Sequence, residues 1–171
     1  MTRILLLTLA LAAPLAAAEP ASDGAALLDK FKALSGDWVA GNDDAHGHGV
    51  AKGSVVAHFR VTAGGSTVVE TLFPGTPMEM LSVYHLDGKD LVMTHYCMAK
   101  NQPRYKAKTG DKDNVVLFEF AGGCNIDPAK DFFMHSGRVM FNGKDQMLGE
   151  WTARKDGKKA EVIKLELIRK K

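Results

Sequence analysis

From Trp38 to Ile168 the chain alternates short β-branched or apolar runs with glycine-containing turn signals. This repetition constrains the fold more than any other feature. Residues 54–62 and 67–73 flank Ala63-Gly64-Gly65-Ser66, and residues 78–86 and 90–98 flank Asp87-Gly88-Lys89. Residues 104–108 and 115–120 flank Gly110-Asp111-Lys112-Asp113. Residues 138–141 and 146–153 flank Asn142-Gly143-Lys144, and Asp156-Gly157-Lys158 turns the chain into residues 161–168. Asp-Gly and Asn-Gly supply the positive φ angles of tight hairpins, so successive runs pair with their chain neighbours. About eight to ten such strands make an all-β, antiparallel domain. Up-and-down order favours a barrel over a sandwich, because sequential hairpins close on themselves without Greek-key crossovers.

One helix precedes the strands. Ser22 and Asp23 are N-cap residues, and Leu27, Leu28, Phe31 and Leu34 fall on one helical face before Ser35-Gly36 ends the segment. The connection over residues 122–133 is irregular, with a turn of helix expected at Asp127-Pro128-Ala129-Lys130.

The densest polar chemistry lies in Thr94-His95-Tyr96-Cys97 and Asn101-Gln102-Pro103-Arg104, at a strand end and the turn after it. Strand parity puts Leu91, Met93, His95 and Cys97 on one face and Val92, Thr94, Tyr96 and Met98 on the other. Both sets are largely apolar, so His95 or Tyr96 points into the barrel and needs a partner there. Glu70 sits between Val69 and Thr71 in an apolar strand, where an unpaired carboxylate is costly. Arg104 is the natural partner by bidentate pairing, and Glu150 beside Trp151 is a second carboxylate for that role. Two readings follow. Glu70, Tyr96, Asn101 and Arg104 form a structural network that fixes barrel closure, or Glu70, His95, Tyr96, Asn101, Arg104 and His135 orient a small, largely apolar ligand inside a cavity. Met78, Met80, Met93, Met98, Met134, Met140 and Met147 suit either an adaptable cavity or ordinary core filling.

The runs Val69-Glu70-Thr71-Leu72-Phe73-Pro74-Gly75-Thr76-Pro77-Met78-Glu79-Met80, Tyr84-His85-Leu86-Asp87-Gly88 and the polar stretch above resemble an uncharacterised family of secreted bacterial lipocalin-like domains. Asn125-Ile126-Asp127-Pro128-Ala129-Lys130-Asp131, Met134-His135-Ser136 and Glu150-Trp151-Thr152 extend the resemblance over most of residues 24–160. Gly36-Asp37-Trp38 behind a helix is similar to the Gly-x-Trp entry of lipocalins. The resemblance implies a calycin-like barrel and no particular activity. The family's His-Met-His-Ser pattern is broken here by Phe133, which weakens a metal or haem site built on paired histidines. The loop over residues 41–52 is longer than the family's usual one.

Other features bound the function. Arg3, the apolar run from Ile4 to Leu11 and Ala16-Ala17-Ala18 read as a signal peptide over residues 1–18, leaving one domain over residues 19–171 in the periplasm or outside the cell. That run is shorter than the roughly 20 residues of a membrane span, and no second span follows. Twenty-two basic against 20 acidic residues give no electrostatic footprint for nucleic acid. Cys97 and Cys124 either form a disulfide, which an oxidising compartment permits, or remain two thiols. His95 and His135, with Cys97 or Cys124, are ligand types for a metal or haem, and His46 and His48 with Asp43 and Asp44 form a second such set in a glycine-rich loop. The first set has no compact metal spacing, and the glycines of the second make a loop that would lose entropy on binding. Nucleophile elbows, phosphate loops and dinucleotide fingerprints are absent. The remaining class is an enzyme, an isomerase or hydrolase, with His95 or His135 as general base.

Overall fold

A computed structural model of the chain describes residues 23–43 and 50–171. The signal-like segment, Ser22, and the Asp44, His46 and His48 cluster lie outside those residues. Asp43 is described, and its carboxylate accepts from the Lys52 backbone N–H at 2.9 Å.

The described residues form helix α1 (Asp23–Lys32) and ten strands: β1 (Gly36–Ala40), β2 (Val55–Thr62), β3 (Thr67–Leu72), β4 (Met80–Asp87), β5 (Asp90–Tyr96), β6 (Gln102–Thr109), β7 (Val115–Cys124), β8 (Phe133–Phe141), β9 (Gln146–Lys155) and β10 (Lys158–Arg169). Every strand pairs antiparallel with its sequence neighbours, and β1 also pairs with β10, so the sheet closes as an up-and-down barrel. Closure removes free sheet edges, which otherwise offer unpaired backbone groups to other chains. The expected all-β barrel with a short N-terminal helix is therefore the fold.

Several strands are longer than their sequences suggest, β7 and β8 among them. β7 runs on to Cys124 and β8 begins at Phe133, which shortens the expected irregular connection. At Asp127 the chain makes one hydrogen-bonded turn, with the Lys130 and Asp131 backbone N–H groups donating to the Asp127 carbonyl. Asp131 then caps the turn through its carboxylate, which accepts from the Asp127 N–H at 2.7 Å.

The helix plugs one end of the barrel. Gly24 rests against the backbone of Lys89 and Leu91, and an added Cβ would lie 2.2 Å from the Lys89 carbonyl oxygen. Leu27, Leu28, Phe31 and Leu34 are buried, as their helical spacing requires. Phe31 stacks on Tyr84 at 4.5 Å and meets Phe118 and Phe141 edge-on, each at 5.7 Å. Arg169, at the end of β10, fastens the helix exit. Its guanidinium donates to the carbonyls of Ala33 at 2.8 Å and Ser35 at 2.9 Å and lies 4.5 Å over the Trp38 ring. The Trp38 indole N–H donates to the Leu34 carbonyl at 2.7 Å. A cation at a helix C-terminus satisfies carbonyls that lack intrahelical donors and complements the helix dipole.

The two cysteines are free thiols. Cys97 begins the turn after β5 and bonds the Asn101 carbonyl, whereas Cys124 pairs with Gln102 on the far side of β6. Two strand spacings, about 10 Å, separate such positions, and a disulfide needs Cα atoms within about 7 Å.

Candidate functional site

With α1 closing one end, a cavity of about 180 Å³ lies toward the other. Its wall is mainly apolar: Leu72, Phe73, Met78, Met80, Met134, Trp151, Ile163 and Leu165. Met98, Ala99 and Glu161 are exposed members of its lining and mark the mouth. The volume is close to the ~150 Å³ of a dry cavity that admits benzene. Four of the chain's methionines line this space, where their flexible thioethers adapt to an occupant's shape.

The polar part of the wall is one row across three strands. Glu70 on β3 faces Ser82 on β4, and Ser82 faces His95 on β5. Strand alternation points all three inward, and all are buried: Glu70 is 7% exposed, Ser82 2% and His95 8%. Ser82 Oγ lies 3.1 Å from His95 Nδ1, and Ser82 stands directly opposite Glu70 in the β3–β4 ladder, next to its carboxyl. The Tyr84 hydroxyl donates to Glu70 Oε2 at 2.5 Å. Tyr84 thus divides the barrel interior, its ring against Phe31 of the plug and its hydroxyl on the polar row.

Burial decides the charge of this row. It pushes the Glu70 carboxyl up from 4.5 to about 7, against the lowering effect of the Tyr84 and Ser82 hydroxyls. It pushes the His95 imidazole down from 6.5 to about 4. Burial also raises the hydroxyls of Tyr84 and Tyr105 and the thiol of Cys97, so these groups stay protonated. Taking a lone charge into an apolar interior is costly, and such groups shift their pKa and neutralise instead. Near pH 7 the cavity therefore presents a neutral imidazole and a carboxyl poised between its two states. Nδ1 of His95 is taken by Ser82, and among the described residues no side chain or backbone group bonds its Nε2.

The structure separates the residues singled out from sequence. Glu70 and His95 line the cavity. Tyr96 is 49% exposed and Arg104 is exposed, both on outward-facing positions of their strands. Parity places Pro103 and Tyr105 inward on β6 and turns Arg104 out, so Arg104 is not the partner of Glu70; Tyr84 is, with Ser82 opposite on β4. Glu150 lies on the outer side, bonded to Lys164 at 3.0 Å, and does not join the row either. The closure network of Glu70, Tyr96, Asn101 and Arg104 is thus not formed.

Asn101 is 3% exposed and supports the mouth from behind. Its amide donates to the carbonyl of Phe132, a lining residue, at 2.8 Å. His135 occupies the β8 bulge between Met134 and Ser136, stacked on Phe120 at 5.7 Å, and is not part of the cavity wall. Burial and the nearby Arg154 push its imidazole down. His95 and His135 therefore do not share a site, and the described residues contain no group of three His, Cys, Asp or Glu side chains able to hold a metal ion.

Ser82 and Tyr84 were missed from sequence. The signal that could have found them is the parity of Met80, Ser82 and Tyr84 on a strand next to Glu70, with a hydroxyl at two successive inward positions.

Trp151 forms the cavity wall by stacking on Phe118 at 5.6 Å and lying over Gly137. A Cβ at position 137 would sit 2.3 Å from the Trp151 ring. Gly137→Ala is expected to displace that ring into the cavity and to destabilise the protein by about 1–3 kcal/mol. Urea unfolding and near-ultraviolet circular dichroism measure the two effects.

The fold and this wall define a closed β-barrel with an apolar internal cavity and one hydrogen-bonding row. Comparisons with known proteins find no matching family model, no matching curated protein and no matching solved structure.

Proposed function

We propose that the protein binds a small, largely apolar molecule in the barrel cavity, oriented by a single hydrogen bond to His95. The observation that carries this reading is a buried histidine in a mainly apolar wall, bonded to Ser82 at Nδ1 and with no Nε2 partner among the described residues. Ligand sites combine such apolar linings with a few placed polar groups. Export through the signal-like segment and kinship with secreted lipocalin-like domains belong to the same proposal. The helix-plugged barrel and the Gly36-Asp37-Trp38 entry beneath Arg169 support the kinship, and the sequence of residues 1–18 supports export.

The test is calorimetric titration with straight-chain 1-alkanols. Each added methylene is expected to tighten binding roughly fourfold, from about 0.8 kcal/mol per buried CH₂. The gain stops when the chain fills the cavity, and Met134→Trp abolishes binding at every length. Absence of saturable binding throughout the series, or equal binding to Met134→Trp, would sink the reading.

A second reading is a proton-transfer enzyme in the same cavity, with His95 as general base. The Ser82 and Glu70 groups behind Nδ1 favour it, because they can hold or release a proton behind the base.

A further inference from the structure

We propose that Glu70, Ser82 and His95 form a reversible hydrogen-bond relay that selects between uncharged hydroxyl and carbonyl ligands of the same shape. The inference rests on the binding site proposed above and adds the chemical class of its ligand and the control of its choice.

The argument is a count of protons along one row. Tyr84 donates to Glu70 Oε2, so that oxygen is already an acceptor. With Glu70 ionised, the Ser82 hydroxyl donates to the carboxylate. Ser82 Oγ is then free to accept, and His95 must donate to it from Nδ1–H. A neutral imidazole carries one N–H, so Nε2 is then a bare lone pair. That state accepts a hydrogen bond from an alcohol or phenol.

With Glu70 protonated, the direction reverses. The carboxyl O–H donates to Ser82 Oγ, the Ser82 O–H donates to His95 Nδ1, and the imidazole proton resides on Nε2. That state donates to a ketone or aldehyde oxygen. The two states differ by one proton, which leaves from Nε2 through the cavity when Glu70 ionises. No charge is placed on the imidazole in either state, in keeping with its burial.

The groups around the row leave it in control. On β4 Tyr84 and on β6 Tyr105 are held protonated by burial, and Cys97 after β5 keeps its thiol. On β2 the residue opposite Glu70 is Phe59, and His58 bonds Asp37 at 2.7 Å outside the cavity. From α1 the group against Tyr84 is Phe31, and from β10 Glu161 lies exposed at the mouth. The carboxyl of Glu70 titrates to about 7, so both directions of the relay are accessible around neutral pH.

The cavity volume sets the body of the ligand at about the size of a benzene ring with one or two substituents. A fixed anion gains no counter-charge from a wall whose imidazole is neutral. A pair of isosteric probes, 1-phenylethanol and acetophenone, separates the two relay directions.

The experiment is calorimetric titration of the protein with each probe at about pH 5.5 and about pH 8.5. Since binding draws on the population of the competent state, 1-phenylethanol is expected to bind roughly thirtyfold tighter at the higher pH and acetophenone roughly thirtyfold weaker. In Glu70→Gln the amide N–H₂ donates to Ser82 permanently, so the variant is expected to prefer acetophenone at both pH values. Nitrogen-15 histidine spectra of the unaltered protein give an independent reading, with the His95 Nε2 proton lost as pH rises. Saturable binding of both probes with the same pH dependence overturns the relay and leaves the binding site standing, as does an Nε2 signal that does not change. Saturable binding of neither probe, together with no binding of the alkanols, overturns both.

Discussion

Replacing Phe31 by alanine is expected to cost about 3–5 kcal/mol, a large share of the stability of a domain this size. The ring is 1% exposed and stacks on Tyr84 while touching Phe118 and Phe141. It is the one aromatic residue of α1, and it packs against three rings of the barrel interior. Its loss leaves a cavity under a helix whose hold on the barrel otherwise rests on Leu27, Leu28, Leu34 and the Arg169 clasp. Tyr84 loses its stacking partner, and through its hydroxyl the Glu70 end of the polar row loses definition. Chemical unfolding should therefore show a lower midpoint, and the variant should also bind alkanols less tightly. A cost below about 1 kcal/mol would mean that the plug is peripheral to the barrel's stability.

The second large effect is a hidden pH dependence. Glu70 is raised from 4.5 to about 7 by burial, so its contribution is full below 4.5 and is lost as pH rises through about 7. His95 is lowered from 6.5 to about 4 by burial, so its contribution is full above 6.5 and is lost as pH falls through about 4. Between 4.5 and 6.5 the two cancel. The unfolded chain holds its proton on the imidazole and the folded chain holds it on the carboxyl, so folding takes up no net proton. From these two groups the unaltered protein is expected to show a flat stability profile in that window.

Each single substitution exposes the partner. Glu70→Gln leaves His95 alone, and the variant should lose stability as pH falls from 6.5 toward 4, by about 3 kcal/mol over the range. His95→Gln leaves Glu70 alone, and stability should fall by about the same amount as pH rises from 4.5 to 7. Urea midpoints across this range give the slopes directly. Parallel profiles for the parent and both variants would show that the two groups do not titrate as a buried pair.

Much of the architecture was legible from the chain itself because turn chemistry and strand runs alternate so regularly. Asp87-Gly88, Asn142-Gly143 and Asp156-Gly157 all turn hairpins, and each glycine has positive φ. The start of β8 was not legible. His135, Ser136 and Gly137 are poor strand formers, and what keeps them in the sheet is remote: Gly137 makes room for Trp151 from β9. Within the site, Glu70 stood out as a carboxylate in an apolar run. Its expected partner was Arg104 and its actual one is Tyr84, because the two differ only in which way a strand faces. His95 and Tyr96 posed the same problem, since Val92 and Thr94 on the outer face look as apolar as Leu91 and Met93 on the inner one. Register resolves it, placing His95 opposite Ser82 and Tyr96 opposite Leu81, which is itself exposed. For the cysteines, spacing carried no information about the strand that lies between them.

The most direct test of the central claim is a crystal structure of the protein soaked with 1-phenylethanol at about pH 8.5. Density for the ring between Met134 and Trp151, with the hydroxyl within about 3 Å of His95 Nε2, is the expected result. A barrel interior filled by its own side chains, or a probe bound only outside the barrel, would contradict it.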